Sequence, residues 1–172
     1  MDREVKLLGG FGALLIVLSV VPLLGGLFAL VGLILLTLAV KRLSEREGRR
    51  ELFSTFVKGV GIYLLGSLVG LLIGYAAFGS SQGGEVGLLT YFLAFLSFVI
   101  VYSSAVVGTY LLKEVFREVA LITGNGLFDW AGKFLFWGAL LTVILIGALI
   151  TWVGWILVAV AFFTTEDNLE GQ

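Results

Sequence analysis

Leu7 to Val40 is a run of 34 residues without a charged side chain, and this length constrains the chain more than any motif does. As one helix it would measure ~51 Å at about 1.5 Å per residue, well beyond a hydrocarbon core of roughly 30 Å. It must therefore break. Pro22-Leu-Leu-Gly-Gly26 supplies the break, because proline lacks a backbone donor and paired glycines permit a tight reversal. Three further uncharged runs follow, Gly59 to Gly84, Val86 to Leu112 and Phe134 to Thr165. A soluble domain needs charged helix faces to enclose its core, whereas these bands are apolar on every side. Hydrophobic residues make up 59% of the chain, charged residues 13%, and mean hydropathy is +1.10. The chain reads as an integral, multi-pass protein of the cell membrane, with one bundle and no appended soluble domain.

Between the runs lie two basic segments. Lys41 to Lys58 holds six of the eleven Lys and Arg residues and reads as a cytoplasmic linker (41–58). Lys113 to Asp129 forms a second linker (113–129), in which Val115, Phe116, Val119 and Ile122 share a helical side until Gly124-Asn-Gly126 stops the period. It reads as an amphipathic segment at the membrane interface, an extension of the fourth span into a stalk, or a solvated connector. Asp129 and Lys133 form an i, i+4 pair, and Trp130 and Trp137 stand as interface anchors.

The last uncharged run poses the length problem of the first, and an internal repeat answers it. Gly12-Ala-Leu-Leu15 recurs as Gly138-Ala-Leu-Leu141, and Leu30-Val-Gly-Leu-Ile-Leu35 resembles Trp152-Val-Gly-Trp-Ile-Leu157, at offsets of 126 and 122. The last run is thus expected to be a hairpin turning near Gly147 to Thr151. The expected fold is an all-α bundle of six transmembrane helices in three hairpins, with spans at about 7–21, 27–40, 59–78, 86–112, 130–147 and 150–165. With the N- and C-termini cytoplasmic, all eleven basic residues fall inside and only Glu85 is charged outside, as the positive-inside rule requires. The same census is met if the terminal hairpins, with limbs of about 15 residues or ~22 Å, enter the membrane without crossing it; six full spans are the favoured expectation. The acidic tail from Glu166 to Gln172 is expected to be mobile.

The Leu7-Leu-Gly-Gly-Phe-Gly-Ala-Leu-Leu15 stretch, Leu30-Val-Gly-Leu-Ile-Leu-Leu36 and Trp155-Ile-Leu-Val-Ala-Val-Ala-Phe-Phe163 resemble an archaeal family of small multi-span proteins catalogued as a domain of unknown function. The resemblance extends over the whole chain. It implies an archaeal cell membrane, and it brings no activity, ligand or functional residue with it.

Function is narrowed mainly by what is missing. With no His and no Cys, the usual ligands for zinc, copper, haem and iron–sulfur clusters are gone, and disulfides with them. No cofactor or metal is expected, and a net charge of −1 argues against a nucleic-acid partner. Apart from Lys133 at the basic end of the fifth, no acid or base lies inside any expected span, which argues against a proton relay. Ser103 and Ser104 lack a histidine to activate them, and Gly9-Gly-Phe-Gly12 lacks the preceding strand and third glycine of a dinucleotide site. The chain is not expected to be an enzyme. Gly66, Gly70 and Gly74, spaced as a double GxxxG, face a seam that includes Ser97, Ser104 and Gly108. The expected function is a non-catalytic membrane component that associates with itself or another membrane protein through small-residue faces. Arg46, Arg49 and Arg50 are placed to attract anionic lipid headgroups of the bilayer. The alternative is a channel or transporter with a path lined by Tyr102, Ser103, Ser104, Thr109 and Tyr110.

Overall fold

The computed structural model describes residues 1–80 and 87–166. Every regular element among them is helical: α1 (Arg3–Leu18), α2 (Gly25–Arg46), α3 (Arg50–Ser80), α4 (Leu88–Thr123), α5 (Leu127–Leu141), a 3-10 turn at Thr142–Ile144, and α6 (Ile146–Thr164). Five segments are long and apolar enough to cross a membrane: α2, α3, α4, α5 with its 3-10 turn, and α6. At 16 residues, α1 is shorter. The helices pair as three hairpins, α1 with α2, α3 with α4, and α5 with α6.

Several boundaries differ from expectation. The linker at 41–58 is almost wholly helical, since α2 runs on to Arg46 and α3 resumes at Arg50. Lys, Arg and Glu are good helix formers, so leaving an apolar band does not end a helix. For the same reason α4 continues without a break through Lys113 to Thr123, where Gly124 closes it at φ +69°. Val115, Phe116 and Val119 of this extension are buried, so it is part of the bundle rather than a solvated connector. The last hairpin turns at Thr142–Leu145, ahead of the expected Gly147 to Thr151. Gly147 lies in the first turn of α6, where it passes so close to the Gly138 carbonyl and the Thr142 amide that no side chain fits. The first hairpin turns between Leu18 and Gly25, and the left-handed residue there is Leu23 (φ +70°), not a glycine. Leu145 (φ +61°) has the matching role in the last hairpin, and the two leucines are 122 positions apart, the offset of the second-limb repeat. Glu85 and the tail beyond Glu166 lie outside the described residues.

The hairpins assemble into a ring. Among the described residues, α3 packs on α4, α4 on α5, α5 on α6, α6 on α1, α1 on α2, and α2 back on α3, with no packing across the middle. Neighbouring helix axes lie about 8–10 Å apart, and the centre of a hexagon is equally far from each corner. Only large side chains fill such a space. Near the basic end Phe56, Phe116, Phe128 and Phe162 fill it, each less than 2% exposed. Phe128 is edge-on to Phe162 at 4.8 Å and stacked with Phe116 at 6.4 Å. Val5, Leu36, Val40, Leu52 and Leu135 complete this core.

Contacts between helices also give their relative depths. Lys113 packs against Gly132, and the Gly108–Leu112 turn packs against Gly59, so Lys58, Lys113 and Lys133 lie at one level. Further along, Ser104 meets Gly66, and the Tyr102 hydroxyl donates to the Leu140 carbonyl at 2.9 Å. The α5–α6 hairpin turns immediately after Leu140. Trp152 Nε1 donates to the Val17 carbonyl at 3.1 Å, which brings the end of the α1–α2 hairpin to nearly the same level. Beyond it α3 and α4 continue alone as a two-helix arm, with Tyr75, Phe78, Tyr91, Phe92 and Phe95 all more than half exposed.

Candidate functional site: the centre of the ring

Where the phenylalanines stop, the middle of the ring is open. A cavity of about 680 Å³ is lined by residues of all six helices. Leu112, Leu135 and Trp155 lie at its inner end, next to the phenylalanine core; Ser19, Val20, Ala148 and Leu149, from the hairpin ends, surround its mouth. Ala29 and Leu33 of α2 and Tyr63 and Leu64 of α3 form one wall. That wall is the weakest part of the ring, because α2 and α3 make its sparsest helix contact, and Tyr63 and Leu64 are nearly half exposed. The space is open to the outside, so it is accessible to whatever surrounds the protein at that depth.

The polar groups expected to form a path are mostly engaged, whereas the Ser19, Tyr63 and Thr151 hydroxyls and the Trp155 indole line the cavity with no hydrogen bond among the described residues. Thr109 lines the cavity, yet its hydroxyl donates to the Ala105 carbonyl at 2.7 Å. The Ser104 hydroxyl donates to Val101 at 2.9 Å. The Tyr102 hydroxyl is spent on α5, while Ser103 and Tyr110 are exposed on the outside of α4. Tyr110 lies edge-on to Phe136 and beneath Lys113. Of the five hydroxyls expected to form a path, only Thr109 lines the cavity, and the five do not converge on one face.

The small-residue seam joins α3 to α4 within the chain. A methyl group on Gly66 would overlap the Ser104 side chain, one on Gly70 would overlap Val101, and one on Gly74 would come within 3.0 Å of the Ser97 hydroxyl. Ser97 in turn donates to the Gly70 carbonyl at 2.7 Å, and Gly108 packs against Gly59 and Tyr63. Ser97→Ala is expected to cost only about 0.6 kcal/mol, typical of interhelical hydrogen bonds in membranes. A reversible unfolding titration in mixed micelles checks this value.

The arginines are mostly paired. Arg46 contacts Asp2 at 2.6 Å and Arg49 contacts Glu118 at 3.8 Å, while Arg50 has no ion pair among the described residues. Arg42 binds Glu4, and Lys133 binds Asp129 at 2.7 Å. The first two pairs tie the N-terminal segment and α4 to the basic turn, which leaves Arg50 as the more available headgroup contact. Among the described residues, no cluster of three acidic side chains is arranged to hold a metal.

One residue with a clear role gave no sequence signal beyond marking a helix stop. The Asn125 amide is shared between the Ala161 carbonyl at 3.0 Å, Thr165 at 3.1 Å and Thr164 at 3.2 Å, while its oxygen accepts from the Leu127 amide at 3.0 Å. It clamps the end of α6 to the α4–α5 turn. Asn125→Leu is expected to lose about 1–3 kcal/mol, because the Leu127 amide loses its acceptor and the tie to the end of α6 goes with it, measurable as a lower midpoint of thermal unfolding in micelles.

Comparison with known proteins agrees with the resemblance read from the sequence. A family model described as a protein of unknown function (DUF996) matches residues 28–156. The chain is 28% identical over 172 residues to the uncharacterized protein MJ1644 of Methanocaldococcus jannaschii, covering 99% of this chain and 96% of the relative. No solved structure matches.

Proposed function

Because the chain belongs to the DUF996 family of proteins of unknown function, no activity is inherited from relatives, and we propose from its own geometry that it is a non-catalytic integral membrane protein with hairpins of two depths. The α3–α4 hairpin crosses the bilayer. The terminal hairpins enter from the basic side and turn within the hydrocarbon. The observation that carries this reading is the chemistry of the hairpin tips. Val20-Val-Pro-Leu-Leu24 and Val143-Ile-Leu145 are apolar and exposed, with Leu23 fully exposed. The segment joining α3 to α4, by contrast, contains Ser81-Gln-Gly-Gly-Glu85.

Distances support the same reading. From Lys113 to Tyr91 along α4 is 22 residues, or ~33 Å, close to the roughly 30 Å of a hydrocarbon core. From Lys113 to Tyr102, where the terminal hairpins end, is 11 residues, or ~17 Å. Tyr75 and Tyr91 then lie in the outer aromatic belt and Trp130 in the inner one. A turn in hydrocarbon is tolerable only if its backbone groups are paired. Here the Ser19, Val21, Gly25 and Leu145 amides each donate within the turn and Pro22 has no amide to satisfy, while the Val20, Leu23 and Leu24 amides have no backbone partner among the described residues. Both limbs of each terminal hairpin return to the basic side, so the positive-inside pattern is kept.

The face formed by Gly66, Gly70 and Gly74 is occupied by α4, so it does not also dock a second copy. Conduction along α4 has little support: its buried hydroxyls serve nearby carbonyls, and the basic end of the ring is plugged by four phenylalanines. Single cysteines at Ser104 and Thr109, exposed in sealed vesicles to a membrane-impermeant thiol reagent, test this directly, since labelling needs water to form the thiolate. Neither is expected to label. Labelling of both would put the channel or transporter reading first.

A further inference from the structure

We propose that the central cavity is a binding site for one hydrocarbon chain of a lipid from the leaflet opposite the basic segments. The inference rests on the half-depth reading of the terminal hairpins, because that depth places the mouth between Val20 and Leu149 inside hydrocarbon rather than in water. Whatever fills the cavity must then come from the bilayer. The interior suits an apolar occupant: its lining is mostly aliphatic and aromatic and carries no charge, with the Ser19, Tyr63 and Thr151 hydroxyls and the Trp155 indole as its few uncommitted polar groups. A charged ligand would lose its hydration and meet no opposite charge there. The volume of about 680 Å³ is within the ~300–1,000 Å³ typical of small-molecule sites. Tyr63 and Leu64 line the cavity and are nearly half exposed where α2 and α3 make their sparsest contact, which gives a chain lying against α3 a lateral approach to the ring without leaving hydrocarbon. The headgroup stays in the opposite leaflet, beside the α3–α4 arm.

The test uses the full chain in phosphatidylcholine vesicles that contain a small fraction of lipid with a diazirine at the chain terminus. After irradiation, the modified residues are mapped by mass spectrometry. Adducts are expected on exposed Phe92 and Phe95, and also on Leu33 and Trp155, cavity-lining residues that keep part of their surface accessible. Filling the cavity with Ala29→Phe or Ala148→Phe is expected to reduce the inner adducts severalfold while leaving those on the arm unchanged. Adducts confined to the arm in the wild-type chain would overturn the proposal, as would inner adducts that persist in both filled variants. A failure of the half-depth reading itself is detected separately, by thiol labelling at the hairpin tips.

Discussion

Phe128→Ala is expected to lower the stability of the folded bundle by about 3–5 kcal/mol, the range for deleting a fully buried phenylalanine. Phe128 is wholly buried at the centre of the ring, where it links α5 to α4 through Phe116 and to α6 through Phe162. Helices on opposite sides of the ring do not touch, so a cavity at this point is unlike one between two packed helices. No backbone lies across the gap to move in. Loss of the two ring contacts adds to the cost, at about 0.5–1.5 kcal/mol for each aromatic pair. Phe95→Ala, on the exposed arm at 67% exposure, is the control and should change little. Denaturant titrations of both variants in mixed micelles give the comparison. A loss near 1 kcal/mol for Phe128→Ala would mean that the centre collapses freely, contrary to a ring held apart by its own circumference.

Gly147→Ala is expected to cost about 3 kcal/mol or more, at or above the upper end of the usual range for overpacking. The added methyl group would overlap the Gly138 carbonyl, the Thr142 amide and the Leu141 backbone, none of which can rotate away as a side chain would. The hairpin must open, and with it the contacts of α6 to α1. Gly61→Ala is the contrasting case. Its added methyl group meets nothing within 4 Å, and in mid-helix the change should stabilise α3 by roughly 0.5–1 kcal/mol. If both substitutions shift the unfolding midpoint by the same amount, the tight crossing at Gly138 and Gly147 is wrong.

Much of this architecture was legible in the uncharged runs, because a 34-residue apolar segment can only be one overlong helix or a hairpin. Gly124 was legible as a stop because a left-handed residue there suits glycine best. The ends of α2 and α3 were not, since a change from apolar to charged residues marks a change of solvent and not of backbone conformation. The turn at Thr142–Leu145 was hidden because no glycine or proline marks it; Gly147 drew attention as a turn former when its real constraint is close packing. The repeat did hold the answer in part, since carrying the offset of 122 from the first turn leads to Leu145. Gly66, Gly70 and Gly74 could be read as a packing face, but nothing in their spacing distinguishes a neighbour in the same chain from one in another. Ring order and the central cavity were not legible at all, because they depend on which apolar faces meet, and one apolar face resembles another. Phe56 and Phe116, flanked by charged residues, look in sequence like interfacial residues and prove to be the centre of the core.

The depth of the terminal hairpins is the central claim, and the cysteine-free sequence allows a direct test. Single cysteines replacing Leu23, Leu145 and Gly87 are placed in sealed vesicles of known orientation and treated from each side with a membrane-impermeant maleimide, which requires a hydrated thiolate. The expected result is that the Gly87 position labels from the side opposite the basic segments, while the Leu23 and Leu145 positions label from neither side until detergent is added. If Leu23 and Leu145 label from the same side as Gly87, and at a similar rate, the terminal hairpins cross the whole bilayer and the chain has six full spans.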